Sequence, residues 1–157
     1  MRAQSELACL ALIPRLVETV LSYFDDPRIV WQGWLAAALA MLSCHPLVAD
    51  QRPAFAARVE QKTRAATRDG EVATYLIALG GLGGDTRPWL NSPHLGIRAS
   101  AAMAEDPADN AATEILRALS EEPGAYLASF DEDFAPPAQF MTGRDPLAEA
   151  ITRLERH

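Results

Sequence analysis

Four times in this chain a residue able to cap a helix is followed by proline: Asp26-Pro27, Ser92-Pro93, Asp106-Pro107 and Asp145-Pro146. Each pair reads as a helix start, because the aspartate or serine oxygen accepts a first-turn N–H and proline costs nothing where that N–H has no partner. The segments that follow are rich in alanine, the strongest helix former. β-Branched residues are scarce, and no segment alternates apolar and polar residues over the length of a strand. The pattern predicts an all-α chain whose short, proline-marked joints turn consecutive helices antiparallel. With 157 residues it is read as one domain over residues 1–157, large enough to bury a sizeable core.

The first helix is predicted from about Ser5 to Tyr23, kinked or split by Pro14. The second runs from Asp25-Asp26-Pro27 to about Ser43. Its centre, Leu35-Ala36-Ala37-Ala38-Leu39-Ala40-Met41-Leu42, is apolar on all sides, which predicts burial by several neighbours, Trp31 and Trp34 included. A third helix spans about Ala49 to Thr67, burying Phe55 and Val59. A fourth opens at Asp69 and stops at Gly80-Gly81. A short turn of helix near Thr86 to Leu90 leads to a sixth element from Pro93 to Ala104. A seventh starts at Asp106-Pro107 and buries Leu116 and Leu119. Residues 124–143 read as an irregular acidic, proline-containing segment with a short helix at most. The last helix starts at Asp145-Pro146.

A repeat emerges when Asp26-Pro27-Arg28-Ile29-Val30-Trp31 is set against Ser92-Pro93-His94-Leu95-Gly96-Ile97. The offset is 66 residues, about two units of 33, within the range of helical-hairpin repeats. The run Asn91-Ser92-Pro93-His94-Leu95-Gly96-Ile97-Arg98-Ala99 resembles the second-helix signature of HEAT repeats: a proline turn, a β-branched residue, arginine, then small residues. Pro93, Ile97 and Arg98 carry the resemblance, with Pro27 as its counterpart in the first copy, where Trp31 and Gln32 depart from the pattern. The resemblance implies a right-handed α-solenoid of about four antiparallel hairpins and work as a protein-binding or scaffolding module. It also implies that Arg98 reaches out of its turn towards carbonyls or an acidic cap, Asp85 or Asp106.

Charge narrows the function classes. The net charge is -7 and the pI about 4.9, so nucleic acid and acidic membrane are poor partners for the whole surface. The charge is uneven: residues 105–157 hold four basic and twelve acidic side chains, whereas residues 51–68 hold five basic and one acidic. Arg58 and Lys62, and Arg64 and Arg68, are each four apart and predict exposed ladders on the third helix. These four residues are the candidate partner-binding patch, weighed against an ordinary solvated face. No apolar run is long enough to span a bilayer, no signal peptide is read, and Cys9 and Cys44 are too few for a disulfide scaffold. A cytoplasmic location is the expectation.

No catalytic constellation is recognised. Tyr23-Phe24-Asp25-Asp26 has Ile29 where a metal-binding carboxylate pair needs a third acid. Gly80-Gly81-Leu82-Gly83-Gly84-Asp85 lacks the strand and the Gly-Lys-Ser/Thr of a phosphate loop and reads as a helix end. Cys9, Cys44, His45 and His94 lack metal-ligand spacing; the cysteines read as small buried hydrophobes and His45 as a turn residue. Asp131 and Asp133 lie in a solvated acidic run. The reading is a non-enzymatic protein-interaction module without cofactor or metal. Its rival is a HEAT-like nucleic-acid-binding protein or DNA glycosylase, which needs a positive groove with an exposed aromatic residue and a carboxylate. Burial of Trp31 and Trp34 beside an acidic concave face would exclude it. A third reading is a piece of a longer repeat protein, favoured by an end inside a helix at His157.

Overall fold

The computed structural model describes residues 2–105, 108–130 and 145–156, with side chains from residue 11 onward. Its described residues form an all-α array of sequentially packed helices: α1 (Arg2–Phe24), α2 (Gln32–Leu42), α3 (Arg52–Ala65), α4 (Asp69–Gly81), α5 (Leu95–Ala102), α6 (Asn110–Glu121), α7 (Gly124–Ala128) and α8 (Pro146–Arg156). Short 3-10 turns at Ala49–Gln51 and Arg87–Trp89 precede α3 and α5.

Three helices form a parallel row. Gly33 and Ala40 of α2 face Thr74 and Gly81 of α4, and Asp69 and Gly80 of α4 face His94 and Ala104 at the two ends of α5. The contacts are small against small. A Cβ on Gly33 would lie 2.6 Å from the Thr74 methyl, and one on Gly80 would lie 2.4 Å from the Ala104 Cβ. Helix α1 packs on α2, and α3 packs on α4 and runs opposite to it, since Arg52 at the start of α3 donates to Gly81 O at the end of α4. The core between them is built from Val17, Val20 and Phe24 of α1, Leu35 and Leu39 of α2, Phe55 and Val59 of α3, and Val72, Tyr75, Leu76 and Leu79 of α4. The sequence stripes of α3 and α4 predicted these residues.

Several joints differ from the sequence reading. Helix α1 is a single element through Pro14 rather than two pieces. Asp26-Pro27 does not start a helix: α2 begins at Gln32. The Asp26 carboxylate is taken by Arg28, through its backbone N–H and its guanidinium, at 2.9–3.0 Å, which holds that carboxyl below the usual aspartate range. The Gln32 amide then ties the loop by donating to the carbonyls of Tyr23, Asp26 and Ile29. At Ser92-Pro93 the start slips by two residues, and the His94 ring caps α5 by accepting from Ile97 N–H at 3.3 Å. Asp106-Pro107 lies outside the described residues; α6 starts at Asn110 with Asp109 as its cap, accepting from Ala112 N–H at 3.1 Å. Asp145 does cap α8, accepting from Leu147 N–H at 3.0 Å. Part of the predicted irregular segment is the helix α7, and residues 131–143 of it lie outside the described residues.

Arg98 reaches carbonyls, as the resemblance implies, but of its own turn: its guanidinium donates to Ser92 and Pro93 O at 2.9 and 3.0 Å. Asp85 instead accepts from Arg87 N–H, and Asp106 lies outside the described residues. Ile97 is buried against the core.

Helix α7 is fastened to α5 by one buried hydrogen bond. Ser100 donates to Gly96 O at 2.7 Å, so its hydroxyl accepts from Tyr126 OH at 2.8 Å. Burial pushes the Tyr126 phenol above the usual tyrosine range, and burial with the Glu71 charge does the same for Tyr75. Both phenols stay protonated in the fold where the unfolded chain ionises, so stability is full below about pH 10 and falls as pH rises above it. Thermal melts from neutral to strongly alkaline pH test this. The Tyr75→Phe/Tyr126→Phe double variant should lose about 1 kcal/mol at neutral pH for each lost bond and show a shallower alkaline decline. An unchanged alkaline slope would place the titration elsewhere.

Candidate interaction surface

The basic ladder of α3 is not one free patch. Arg58 pairs with Asp25. Lys62, the chain's sole lysine, donates to the Phe24 carbonyl and the Gln32 side chain, and its ammonium lies 3.7 Å over the Phe24 ring. Burial, then the neighbouring Arg58 charge, push that ammonium below the usual lysine range. Both residues are half-buried, which corrects the expectation that the whole ladder is exposed. The reason is local. The α1–α2 turn presents the last carbonyls of α1, and the α3 stem passes close enough to satisfy them. Arg64 is exposed on another side of α3, whereas Arg68, also exposed, is not on α3: that helix ends at Ala65 and Arg68 is the extended residue before α4, so the predicted Arg64/Arg68 ladder does not form. Arg64 pairs with Glu60 at 3.0 Å and stacks 5.1 Å from the Trp89 ring.

A second surface is formed by α1 and α2. Leu12, Leu16 and Tyr23 recur at helical spacing along α1, and Trp31, Trp34 and Met41 do so along α2. All six are 41–57% exposed. The two stripes meet where the Tyr23 ring lies 6.3 Å from that of Trp31, and Val30 beside them is 90% exposed. The burial predicted for Trp31 and Trp34 is therefore wrong. Helix α2 has α1, α3 and α4 around three sides, and its fourth side has no neighbouring helix among the described residues. Aromatic side chains of about 150–250 Å² each, left half in water, make this the most apolar exposed region described.

The remaining candidates resolve into structure. Cys44 is exposed rather than buried; its thiol donates to Ala40 O, while His45 Nδ1 accepts from Leu47 N–H as a turn residue should. Gly80 to Gly84 ends α4: Gly83 takes φ +76, and Gly84 N–H returns to Leu79 O at 2.9 Å. An open depression of about 620 Å³ runs along α8, between Asp145, Glu149, Thr152, Arg153 and Arg156. Its Arg153 is committed to the Met103 carbonyl at 2.5 Å, and Asp145 to its capping bond. Arg87, Glu105, Asp109 and Thr86 form a polar knot that joins the 3-10 turn to α5 and α6. Among the described residues no group of three or more His, Cys, Asp or Glu side chains could hold a metal ion, and no helix is long and apolar enough to cross a membrane. No protein-family model matches the chain, and no curated protein or solved structure matches it.

Proposed function

We propose that this chain is a non-enzymatic helical-repeat module of HEAT-like type that binds another protein through the apolar face of α1 and α2. The observation that carries the reading is the half exposure of Trp31 and Trp34 beside Leu12, Leu16 and Tyr23. Exposed aromatic and aliphatic side chains in a contiguous stripe are the usual core of a protein interface. The parallel row of α2, α4 and α5, with α3 running opposite to α4, supports the hairpin-repeat reading. The face moves the working surface away from Arg58 and Lys62, which serve the α1–α2 turn.

The nucleic-acid reading keeps one supporting observation, since its exposed aromatic residues are present in Trp31 and Trp34. Against it stands the commitment of Arg58 and Lys62 to internal partners, which removes two phosphate contacts from the groove it needs. A photo-crosslinking residue in place of Trp34, together with anisotropy of labelled DNA and RNA at low salt, separates the two. The expected result is capture of protein from position 34 and no salt-sensitive nucleic-acid binding. Binding that falls with salt and is lost on Arg64→Glu/Arg68→Glu would establish the rival.

A further inference from the structure

The α1/α2 face lies at one end of the packing order, and the opposite end is built differently. Helix α8 closes the far end against α6. It buries Leu147 and Ala150 and turns Glu149, Thr152, Arg153, Glu155 and Arg156 outward. A polar outer face is how a stack of helical units is terminated. Among the described residues the packing order therefore has one apolar end and one charged end, and a head-to-tail contact would set apolar Trp31 and Trp34 against charged α8. Two apolar ends can meet only head to head, about a two-fold axis.

We propose that the occupant of this face is a second copy of the chain, forming an isologous dimer in which α1 and α2 of the two copies stack as a four-helix layer. The proposal rests on the reading above that the face is a docking surface. Two further observations support this occupant. Leu12, Leu16, Tyr23, Trp31, Trp34 and Met41, each 41–57% exposed, leave on the order of a few hundred Å² of largely apolar side chain in water, the patch size that marks an interaction site. Charge favours the same geometry. The acidic excess sits in residues 105–157, with twelve acidic and four basic side chains, whereas residues 1–50 carry five and three. Asp106, Asp131, Glu132 and Asp133 of that count lie outside the described residues; the described part of 105–156 holds eight acidic and three basic side chains, so head-to-head pairing keeps the two more acidic ends apart.

Sedimentation velocity of the 157-residue chain from about 1 to 100 μM tests it. The expected result is a concentration-dependent dimer. Trp31→Glu/Trp34→Glu should weaken it at least about tenfold with helix content and melting unchanged. Leu16→Glu, an exposed position on the other helix of the face, should do the same and guards against a fold defect in the first variant. A dimer that both variants leave intact overturns the proposal by placing the interface elsewhere. A chain monomeric throughout also overturns it. In that case a crosslinker at position 34 decides the fate of the face. Capture of a different protein, or of the chain's own residues 131–144, keeps it as a docking surface with another occupant, and absence of any crosslink removes the docking reading as well.

Discussion

Phe24→Ala should be among the most damaging single changes in this protein, costing about 3–5 kcal/mol in urea denaturation. Phe24 is the last residue of α1 and has no exposed surface. Its ring is part of the core shared by α1, α2 and α3, and its outer face carries the Lys62 ammonium. Truncation leaves a cavity the size of a benzene ring at the point where three helices meet. It also removes the ring attraction that helps a half-buried ammonium tolerate lost water. The midpoint should fall with little change in slope, because the surface exposed on unfolding is nearly the same. A loss below about 1 kcal/mol would mean that the core collapses around the gap or that α1 is not held at this end.

Gly80→Val should be the next most severe, at about 2 kcal/mol or more, although glycine inside a helix is ordinarily a weakness. On propensity alone, replacement by alanine would gain about 1 kcal/mol. Here the added Cβ would sit 2.4 Å from the Ala104 Cβ, an atom fixed to its own backbone that cannot rotate away. Either α4 and α5 separate or the end of α4 unwinds, and overpacking of this kind costs about 1–3 kcal/mol before the second and third carbons of valine are counted. Gly124→Ala is the matched control, since a Cβ there meets nothing within 4 Å, and it should be neutral or stabilising by a few tenths of a kcal/mol. If the two variants melted alike, the α4–α5 contact would not be as close as described.

The helices themselves were legible because alanine content, proline positions and the stripes of α3, α4 and α6 all point the same way. What was not legible was where a capping side chain spends its oxygen. Asp26-Pro27 and Asp145-Pro146 are the same dipeptide, yet only the second starts a helix. Arg28, two residues on, takes the Asp26 carboxylate, whereas Leu147 stands at that place after Asp145 and offers only its backbone N–H, which Asp145 accepts. The surface was misread for a related reason. The spacing of Arg58, Lys62 and Arg64 fixes which of them share a side of α3, while Arg68 falls beyond its end. It does not say that the α1–α2 turn lies over one of those sides and consumes its cations. Trp31 and Trp34 were assigned to the interior because α2 is apolar throughout, a rule that assumes neighbours on every side. The described residues supply them on three.

The parallel course of α2, α4 and α5 has an electrical consequence. Along one rim of the row, at Gln32, Asp69 and Leu95, the three helix starts point the same way; along the other, past Leu42, Gly81 and Ala102, the three helix ends do. Each helix end acts as roughly half a unit charge, so the row has a donor rim and an acceptor rim, while α3 runs opposite to α4 and offsets part of it. Arg52 donates to Gly81 O at 2.9 Å and Arg153 to Met103 O at 2.5 Å, both on the acceptor rim, while Asp69 and Glu71 sit in the first turn of α4 on the donor rim. Part of this chain's formal charge thus serves as counter-charge to its own backbone: Arg52, Lys62, Arg98 and Arg153 each donate to a main-chain carbonyl.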